Sequence, residues 1–269
     1  VLEHAYVAVE GTKIASVGTE PPEGTFDRVV DGAGKVLLPG FVNAHTHLPM
    51  TLMRGYGGGC DLHTWLNQYI FPAEARLDSR AVAAGAGLGL AEMIASGVTC
   101  VADMYMHTGT IAEQILEAGI SANLSCGGVY FGAPEDFSPE TCGDCRNQAA
   151  LTEEWHGAGA GQILVDASVH GEYTSNPPLW RWMAEYAAEH RLGMHVHVSE
   201  TQSEHDECVA RWGKTPIQKL DEFGVWDVRS IAAHCVWTTP EDWALMAERG
   251  ISAIHNPVSN LKLGSGVAP

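Results

Sequence analysis

Basic residues are scarce in this sequence. Of its 269 residues, 15 are Lys or Arg and 33 are Asp or Glu, which gives a formal net charge of -18 at pH 7. No cluster of Lys or Arg could follow a phosphate backbone or lie against an anionic membrane. We therefore expect neither nucleic acid nor a membrane among the partners of this protein.

Long apolar runs and a cysteine framework are also missing. No stretch reaches the roughly 18 to 20 apolar residues that span a bilayer, and the N-terminus lacks the features of a signal peptide. The seven cysteines are odd in number and scattered, and we interpret the single CxxC, Cys142 and Cys145, as ordinary loop thiols. These absences predict a soluble, cytoplasmic protein, and nothing in the sequence decides whether it forms a homo-oligomer.

A regular alternation of β-rich runs and helical patterns begins after residue 36. Such alternation is typical of βα units and a parallel sheet. Seven strand candidates are present and an eighth is not, so we predict an α/β fold, a (β/α)8 TIM-type barrel lacking its last strand. The strand candidates lie at 36–45, 99–104, 121–129, 163–170, 193–200, 230–237 and 252–260. The helical patterns lie at 79–96, 110–118, 179–190, 203–223 and 240–249.

The first 36 residues have a different pattern. The run "AYVAVEGTKIASVG" contains two alternating β-rich segments around an "EGTK" turn, and "RVVDGAGKVLLPG" follows it. We interpret residues 1–36 as a partial β-sandwich subdomain and residues 37–269 as the barrel. A chain of this length that is 45% hydrophobic can bury one large core.

Histidines recur at the ends of the predicted barrel strands. Residues i and i+2 of a strand point to the same face, so His45 and His47 share one side of the first barrel strand. Enzymes with this fold carry their chemistry at the carboxyl-terminal strand ends, whereas the barrel interior is filled mainly by branched aliphatic residues. Hydrogen-bonded core histidines would explain one such residue, but the recurrence favours a metal site. The other strand-end histidines are His170, His195, His197, His234 and His255.

A catalytic zinc site commonly has three protein ligands and an open position for water. Bound metal can lower the pKa of that water to about 7. Glu200 follows His197 by three residues, where the strand leaves the barrel, and could carry protons between the water and a substrate nitrogen. It could also belong to the cap of the helix that starts near Ser203. Zinc is our first choice of ion, with Fe²⁺, Mn²⁺ and Ni²⁺ as alternatives.

Two other metal-site patterns fit the sequence poorly. "HGE", residues 170–172, matches the HxE of cytidine-type deaminases, but the PCxxC that should follow is missing. Binuclear barrel hydrolases commonly use a carboxylated Lys on the fourth strand, and "ILVDASVH" contains none. A single metal ion is therefore expected.

The combined motifs resemble the amidohydrolase superfamily, and within it the 5'-methylthioadenosine/S-adenosylhomocysteine deaminases. The resemblance implies that His45, His47 and His197 bind one divalent metal ion and that Glu200 and His234 transfer protons. His195 would support the ligands. The matching segments are "PGFVNAHTHLPMTLMRG", "WLNQYIFPAEA", "LAEMIASGVTCVADMY", "MHVHVSET", "IAAHCVW" and "HNPVSNLKLGSG".

The resemblance also implies a small-molecule site in which Glu200 reaches the base. Trp65 would offer an apolar face to a nucleoside, and Glu74 would accept hydrogen bonds from its ribose hydroxyls. His170 would contact the substrate, although the family's "PHxPY" is "VHGEY" here. Arg146 lies near the position of an arginine that binds the homocysteine carboxylate.

The expected reaction is hydrolytic deamination of an adenine nucleoside at C6 with release of ammonia. The alternatives are a related enzyme that deaminates or dechlorinates guanine, an oxidised purine, a pterin or a triazine, and an inactive truncated barrel that serves as a scaffold. The family's fourth metal ligand, an Asp in a "TDG" motif on the eighth strand, has no counterpart before Pro269. We therefore expect this chain to be part of a polypeptide of roughly 400 or more residues.

Overall fold

The computed structural model describes residues 1–269, which divide into two units, Val1–Pro39 and Gly40–Pro269. The first unit contains one antiparallel pair of strands, β1 (Tyr6–Glu10) and β2 (Lys13–Gly18). Gly11 in the turn between them has a φ of 58°, which glycine adopts without steric cost. Residues 19–39 form no strand, although we expected "RVVDGAGKVLLPG" to contribute to a β subdomain.

The second unit contains seven parallel strands that pair in sequence order, which confirms the predicted α/β barrel class. The first and last of these strands are not paired with each other, so the barrel is open along one side. The strands are β3 (Phe41–Thr46), β4 (Val98–Met104), β5 (Ser121–Ser125), β6 (Ile163–Gly171), β7 (Gly193–Val198), β8 (Ser230–His234) and β9 (Ser252–Ile254).

Helices and short helical turns connect the strands. The α-helices are α1 (Leu62–Trp65), α2 (Phe71–Glu74), α3 (Ser79–Ala95), α4 (Thr108–Ala118), α5 (Gly143–Trp155), α6 (Ala158–Gly161), α7 (Pro177–His190), α8 (Gln202–Trp212), α9 (Pro216–Asp221), α10 (Pro240–Arg249) and α11 (Pro257–Lys262). The 3₁₀ turns are Leu48–Met53, Pro134–Asp136 and Glu172–Thr174, and Leu66–Ile70 is a π-helical turn.

One predicted helix, 203–223, is wrong, because it is two helices. Gly213 ends α8 with a φ of 68°, as glycine commonly does after a helix. Thr215 then caps α9, whose first residue is Pro216, a residue suited to the first helical turn. Both signals are present in the sequence.

The barrel unit has two hydrophobic clusters, each covered by helices. We call the first the N-terminal core; it includes Leu48, Val82, Leu90, Ile111, Leu124 and Ile163. The second, the C-terminal core, includes Ala167, Trp180, Met194, Val196, Val198 and Trp226. Every residue of β7 and β8 is buried, as expected of parallel strands that are covered on both faces.

Close packing fixes the segment that follows β3. A Cβ atom at Gly85 in α3 would lie 2.5 Å from the carbonyl oxygen of Pro49, so only glycine allows this approach. Thr51 donates to the Gly85 carbonyl at 2.7 Å, and the Leu48 amide donates to Asp103 at 2.6 Å. The backbone that leaves His47 is therefore anchored from two directions.

The longest helix, α3, has 17 residues, and none of the helices has both the length and the apolar character required to cross a bilayer.

Candidate metal and active site

A cavity of about 930 Å³ lies at the carboxyl-terminal ends of the barrel strands. It is lined by residues at or just after the carboxyl-terminal end of each strand from β3 to β9, as expected for an active site on this fold. Eight of the nine site residues predicted from the sequence line it, namely His45, His47, Trp65, Glu74, His170, His197, Glu200 and His234.

The Nε2 atoms of His47 and His197 face each other. His47 Nδ1 lies 2.5 Å from the Met104 carbonyl and His197 Nδ1 lies 2.6 Å from the His170 carbonyl. A carbonyl only accepts, so both Nδ1 atoms carry the proton and both Nε2 atoms carry a lone pair. The two Nε2 atoms are 3.3 Å apart, which places two acceptors opposite each other with no proton between them.

His45 brings a third lone pair to the same place through a chain of hydrogen bonds. Ser125 Oγ donates to the Asp103 carbonyl and can accept from His195 Nδ1 at 3.3 Å. His195 Nε2 is then the acceptor for His45 Nδ1 at 2.9 Å. His45 Nε2 is left without any hydrogen-bond partner, although it is buried.

This donor set fits a divalent metal ion. Burial lowers the pKa of His45, His47 and His197, and neighbouring histidines lower it further for His45 and His197, so protonation does not relieve the crowded lone pairs. The nitrogen atoms of His45, His197 and His234 lie within 4.8 Å of one another. Neutral imidazoles held by outer hydrogen bonds are the form in which histidine binds zinc. The chain therefore has a buried histidine site that suits one ion.

Glu200 and His234 form a titratable pair beside the histidines. Glu200 Oε1 lies 3.5 Å from His234 Nδ1, and the two residues are 3% and 4% exposed. Burial raises the pKa of Glu200 to about 8, with a further contribution from the charge of Glu204. Burial lowers the pKa of His234 to about 4. Near pH 7 the pair consists of a carboxyl that holds a proton and a neutral imidazole.

The other end of the cavity contains Trp65 and Glu74. The Trp65 Nε1 atom donates to the Tyr56 carbonyl at 2.9 Å, which fixes the ring, and the Lys262 ammonium lies 5.6 Å from its centre. Glu74 is 8% exposed; burial raises the pKa of its carboxyl, and the Tyr105 hydroxyl beside it opposes that rise. A recessed carboxyl beside an indole face can bind a ligand that has hydroxyl groups and a flat ring.

His170 and Arg146 differ in their placement. His170 Nδ1 lies 3.0 Å from Thr174 Oγ, which itself donates to the Gly171 carbonyl, so His170 turns its Nε2 lone pair outward from that turn. Arg146, in α5, is exposed and donates to the Glu140 carbonyl at 2.9 Å. It does not line the cavity, because its guanidinium is directed to the loop before the helix.

Sequence reasoning missed two polar residues that support the site. Asn260 Oδ1 lies 2.8 Å from His234 Nδ1, and the residue is fully buried. We predicted it at the end of a strand, whereas it lies in α11, and the presence of an Asn does not by itself indicate burial. Asp103 is also fully buried, burial raises its pKa to about 7, and its Oδ2 has no partner. An acidic residue inside the apolar run "TCVADM" was a visible signal.

A model of the amidohydrolase family matches residues 36–269. The chain belongs to the amidohydrolase family. It is 42% identical over 265 residues to the 5'-deoxyadenosine deaminase of Methanothermobacter thermautotrophicus, covering 98% of this chain and 61% of that protein. It is 39% identical over 269 residues to the 5-methylthioadenosine/S-adenosylhomocysteine deaminase of Caldanaerobacter subterraneus, covering 100% and 61%. This amidohydrolase chain thus spans about three-fifths of these relatives.

Solved structures show the same architecture. An adenosine deaminase from Xanthomonas campestris with bound zinc has a TM-score of 0.78 at 34% identity, covering 86% of this chain and 52% of that one. The zinc-bound atrazine chlorohydrolase TrzN from Arthrobacter aurescens has a TM-score of 0.89 at 23% identity, covering 100% and 64%. The second likeness concerns the fold alone.

Proposed function

We propose that this amidohydrolase chain carries the catalytic centre of a metal-dependent deaminase that releases ammonia from C6 of adenine nucleosides. The observation that carries the proposal is the convergence of three histidine lone pairs beside the Glu200–His234 pair. The relatives that are named as deaminases of 5'-deoxyadenosine and of methylthioadenosine or adenosylhomocysteine support this substrate class.

His45, His47 and His197 would hold the ion, because their Nε2 lone pairs meet and their Nδ1 atoms are occupied. Zinc is the proposed ion, since a related adenosine deaminase was solved with zinc. When bound, a divalent ion supplies a Lewis acid that makes water a nucleophile near neutral pH.

Glu200 and His234 would move the protons. Glu200 holds a proton at neutral pH and can donate it to N1 of the adenine ring, which stabilises the electron density that enters the ring when C6 is attacked. His234 donates its Nδ1 proton to Asn260, so its Nε2 atom is free to accept a proton from the attacking water and to pass it to the amino nitrogen, which leaves as ammonia when the C6–N bond breaks. The proton of the new C6 hydroxyl then returns to Glu200. A carboxylic acid and a neutral imidazole are the protonation states that these roles require.

Trp65, Glu74 and His170 would position the nucleoside. An ionised carboxylate can accept two hydrogen bonds from neighbouring hydroxyls, which suits Glu74 to the 2' and 3' positions of ribose. The Trp65 indole would pack on an apolar face of the ligand, and His170 Nε2 would accept from a ligand donor.

Ammonia release tests the proposal. The purified protein, loaded with Zn²⁺, is incubated with 5'-deoxyadenosine, methylthioadenosine and adenosylhomocysteine, and with guanine and a chlorotriazine. We expect ammonia from the adenine nucleosides alone, and a decrease of about 10²- to 10⁴-fold in Glu200→Gln, because general acid catalysis has that magnitude. Equal rates in the wild type and Glu200→Gln would contradict the mechanism, and turnover of the free base or the triazine alone would contradict the substrate class.

A further inference from the structure

The backbone makes a sharp corner between His197 and Glu200. Ser199 has a φ of 50°, in the left-handed region that residues with a side chain seldom adopt. The Ser199 side chain is fully buried, and Glu200 follows immediately with 3% exposure. The direction in which Glu200 leaves the strand therefore depends on whatever holds this corner.

Glu204 holds the corner from the first turn of α8. Its Oε1 accepts from the Ser199 amide and its Oε2 from the Glu200 amide, both at 2.7 Å. These are short bonds from two backbone amides to a carboxyl group that is only 5% exposed. Trp237 adds a third contact, because its amide donates to the Ser199 carbonyl at 2.8 Å.

This is not ordinary helix capping. Thr201 caps α8 and accepts from the Glu204 amide at 3.2 Å, so Glu204 is the third residue of the helix. In a capping box, the glutamate at that position accepts from the amide of the capping residue itself. Here it reaches one and two residues further back, to the two amides that precede the cap. The helix is capped by Thr201 alone, and Glu204 serves the corner.

We propose that Glu204 is a positioning residue, whose two hydrogen bonds to the Ser199 and Glu200 amides direct the Glu200 carboxyl toward His234. The catalytic importance of this orientation of Glu200 rests on the proposed function. The role requires two acceptor oxygens at a fixed reach. Glutamine has only one acceptor oxygen, and its side-chain NH2 group would face the second backbone N–H, donor against donor. Aspartate is one methylene shorter and would not reach both amides.

Glu204→Gln and Glu204→Asp test the role with two separate measurements. In the wild type, Glu200 Oε1 lies 3.5 Å from His234 Nδ1. Crystal structures of the variants should show the Glu200 carboxyl displaced by about 1 Å or more from its wild-type position. With 5'-deoxyadenosine, kcat should fall about 10- to 100-fold while KM changes less than about twofold. Zinc content should stay equal to that of the wild type, because Glu204 makes no hydrogen bond to the proposed ligands His45, His47 and His197.

Glu207→Gln is the matched control, because Glu207 is exposed on the same helix and pairs only with Arg211, at 3.3 Å. It should keep the wild-type kcat. An unmoved Glu200, or an unchanged kcat in both Glu204 variants, would overturn the proposal, as would a rise in KM alone. If the wild-type protein releases no ammonia, the proposed function fails, and the crystal structures still decide whether Glu204 sets the position of Glu200.

Discussion

His45, His47, His197 and His234 each have one ring nitrogen engaged by the protein. Carbonyl oxygens engage His47 and His197, the His195 ring engages His45, and Asn260 engages His234. The second nitrogen of each ring is thereby fixed as an acceptor. The tautomers that bind metal are set by the backbone and by buried polar side chains, before any ion binds.

Substitution of single histidines would separate the proposed metal ligands from the proposed proton-transfer residue. We expect His47→Asn and His197→Asn to weaken zinc binding by at least about 100-fold, since each would remove a proposed ligand. His234→Asn should bind zinc within a few-fold of the wild type and lose ammonia release. Competition with a chromophoric chelator measures the affinities, and His63→Asn, in α1, is the control. Equal losses in His47→Asn and His234→Asn would show that His234 is a ligand.

Glu200 should make the metal-free protein less stable at high pH. Its pKa rises from 4.5 unfolded to about 8 folded, so the folded state holds a proton that the unfolded state has released. This stabilisation is fully present below the unfolded pKa and is lost as pH rises through about 8. Between pH 7 and pH 9 the loss is about 1 kcal/mol.

Urea unfolding of the metal-free wild type and of Glu200→Gln at pH 7 and pH 9 measures this difference. In Glu200→Gln, the free energy of unfolding should lack the decrease of about 1 kcal/mol between pH 7 and pH 9 that we assign to Glu200. In the folded state His234 and His195 titrate below this interval, because burial lowers the pKa of His234 to about 4 and of His195 to about 3. Identical pH dependence in the two proteins would contradict the assignment.

The sequence pattern indicated the histidines of the site, but not the residues that hold them and Glu200 in place. Strand geometry alone predicted that His45 and His47 share one face of a strand, and that His195 and His197 do so on another. The reach of Glu204 and the contact of Asn260 with His234 depend on how loops fold back across 5 and 26 residues. The periodicity of apolar residues along a strand or helix does not predict contacts of this kind.

At the level of helices and strands, the alternating pattern located all seven barrel strands, and the ends were less accurate. The first barrel strand begins at Phe41 rather than at residue 36, because Pro39 and Gly40 precede it and Val36, Leu37 and Leu38 stay exposed. Apolar character indicated a strand there, but no partner packs on those side chains. The break between α8 and α9 was missed although Gly213 and Pro216 mark it.

The contact of α3 with the turn after His47 gives a prediction at this scale. Gly85→Ala should destabilise the protein by about 1–3 kcal/mol, because the new methyl group would meet the Pro49 carbonyl. Gly87→Ala, in the same helix, would place its Cβ 3.4 Å from the flexible Gln114 side chain, and should stabilise by about 0.5–1 kcal/mol. Urea unfolding measures both. Equal effects of the two substitutions would contradict the packing argument.

The metal site joins two parts of the chain that are 150 residues apart. His45 and His47 border the N-terminal core at Leu48, and His197 lies between Val196 and Val198 of the C-terminal core. An ion held by the proposed ligands His45, His47 and His197 would therefore link the two cores. The rate at which bound zinc exchanges with free isotope would then report on motion of one core relative to the other.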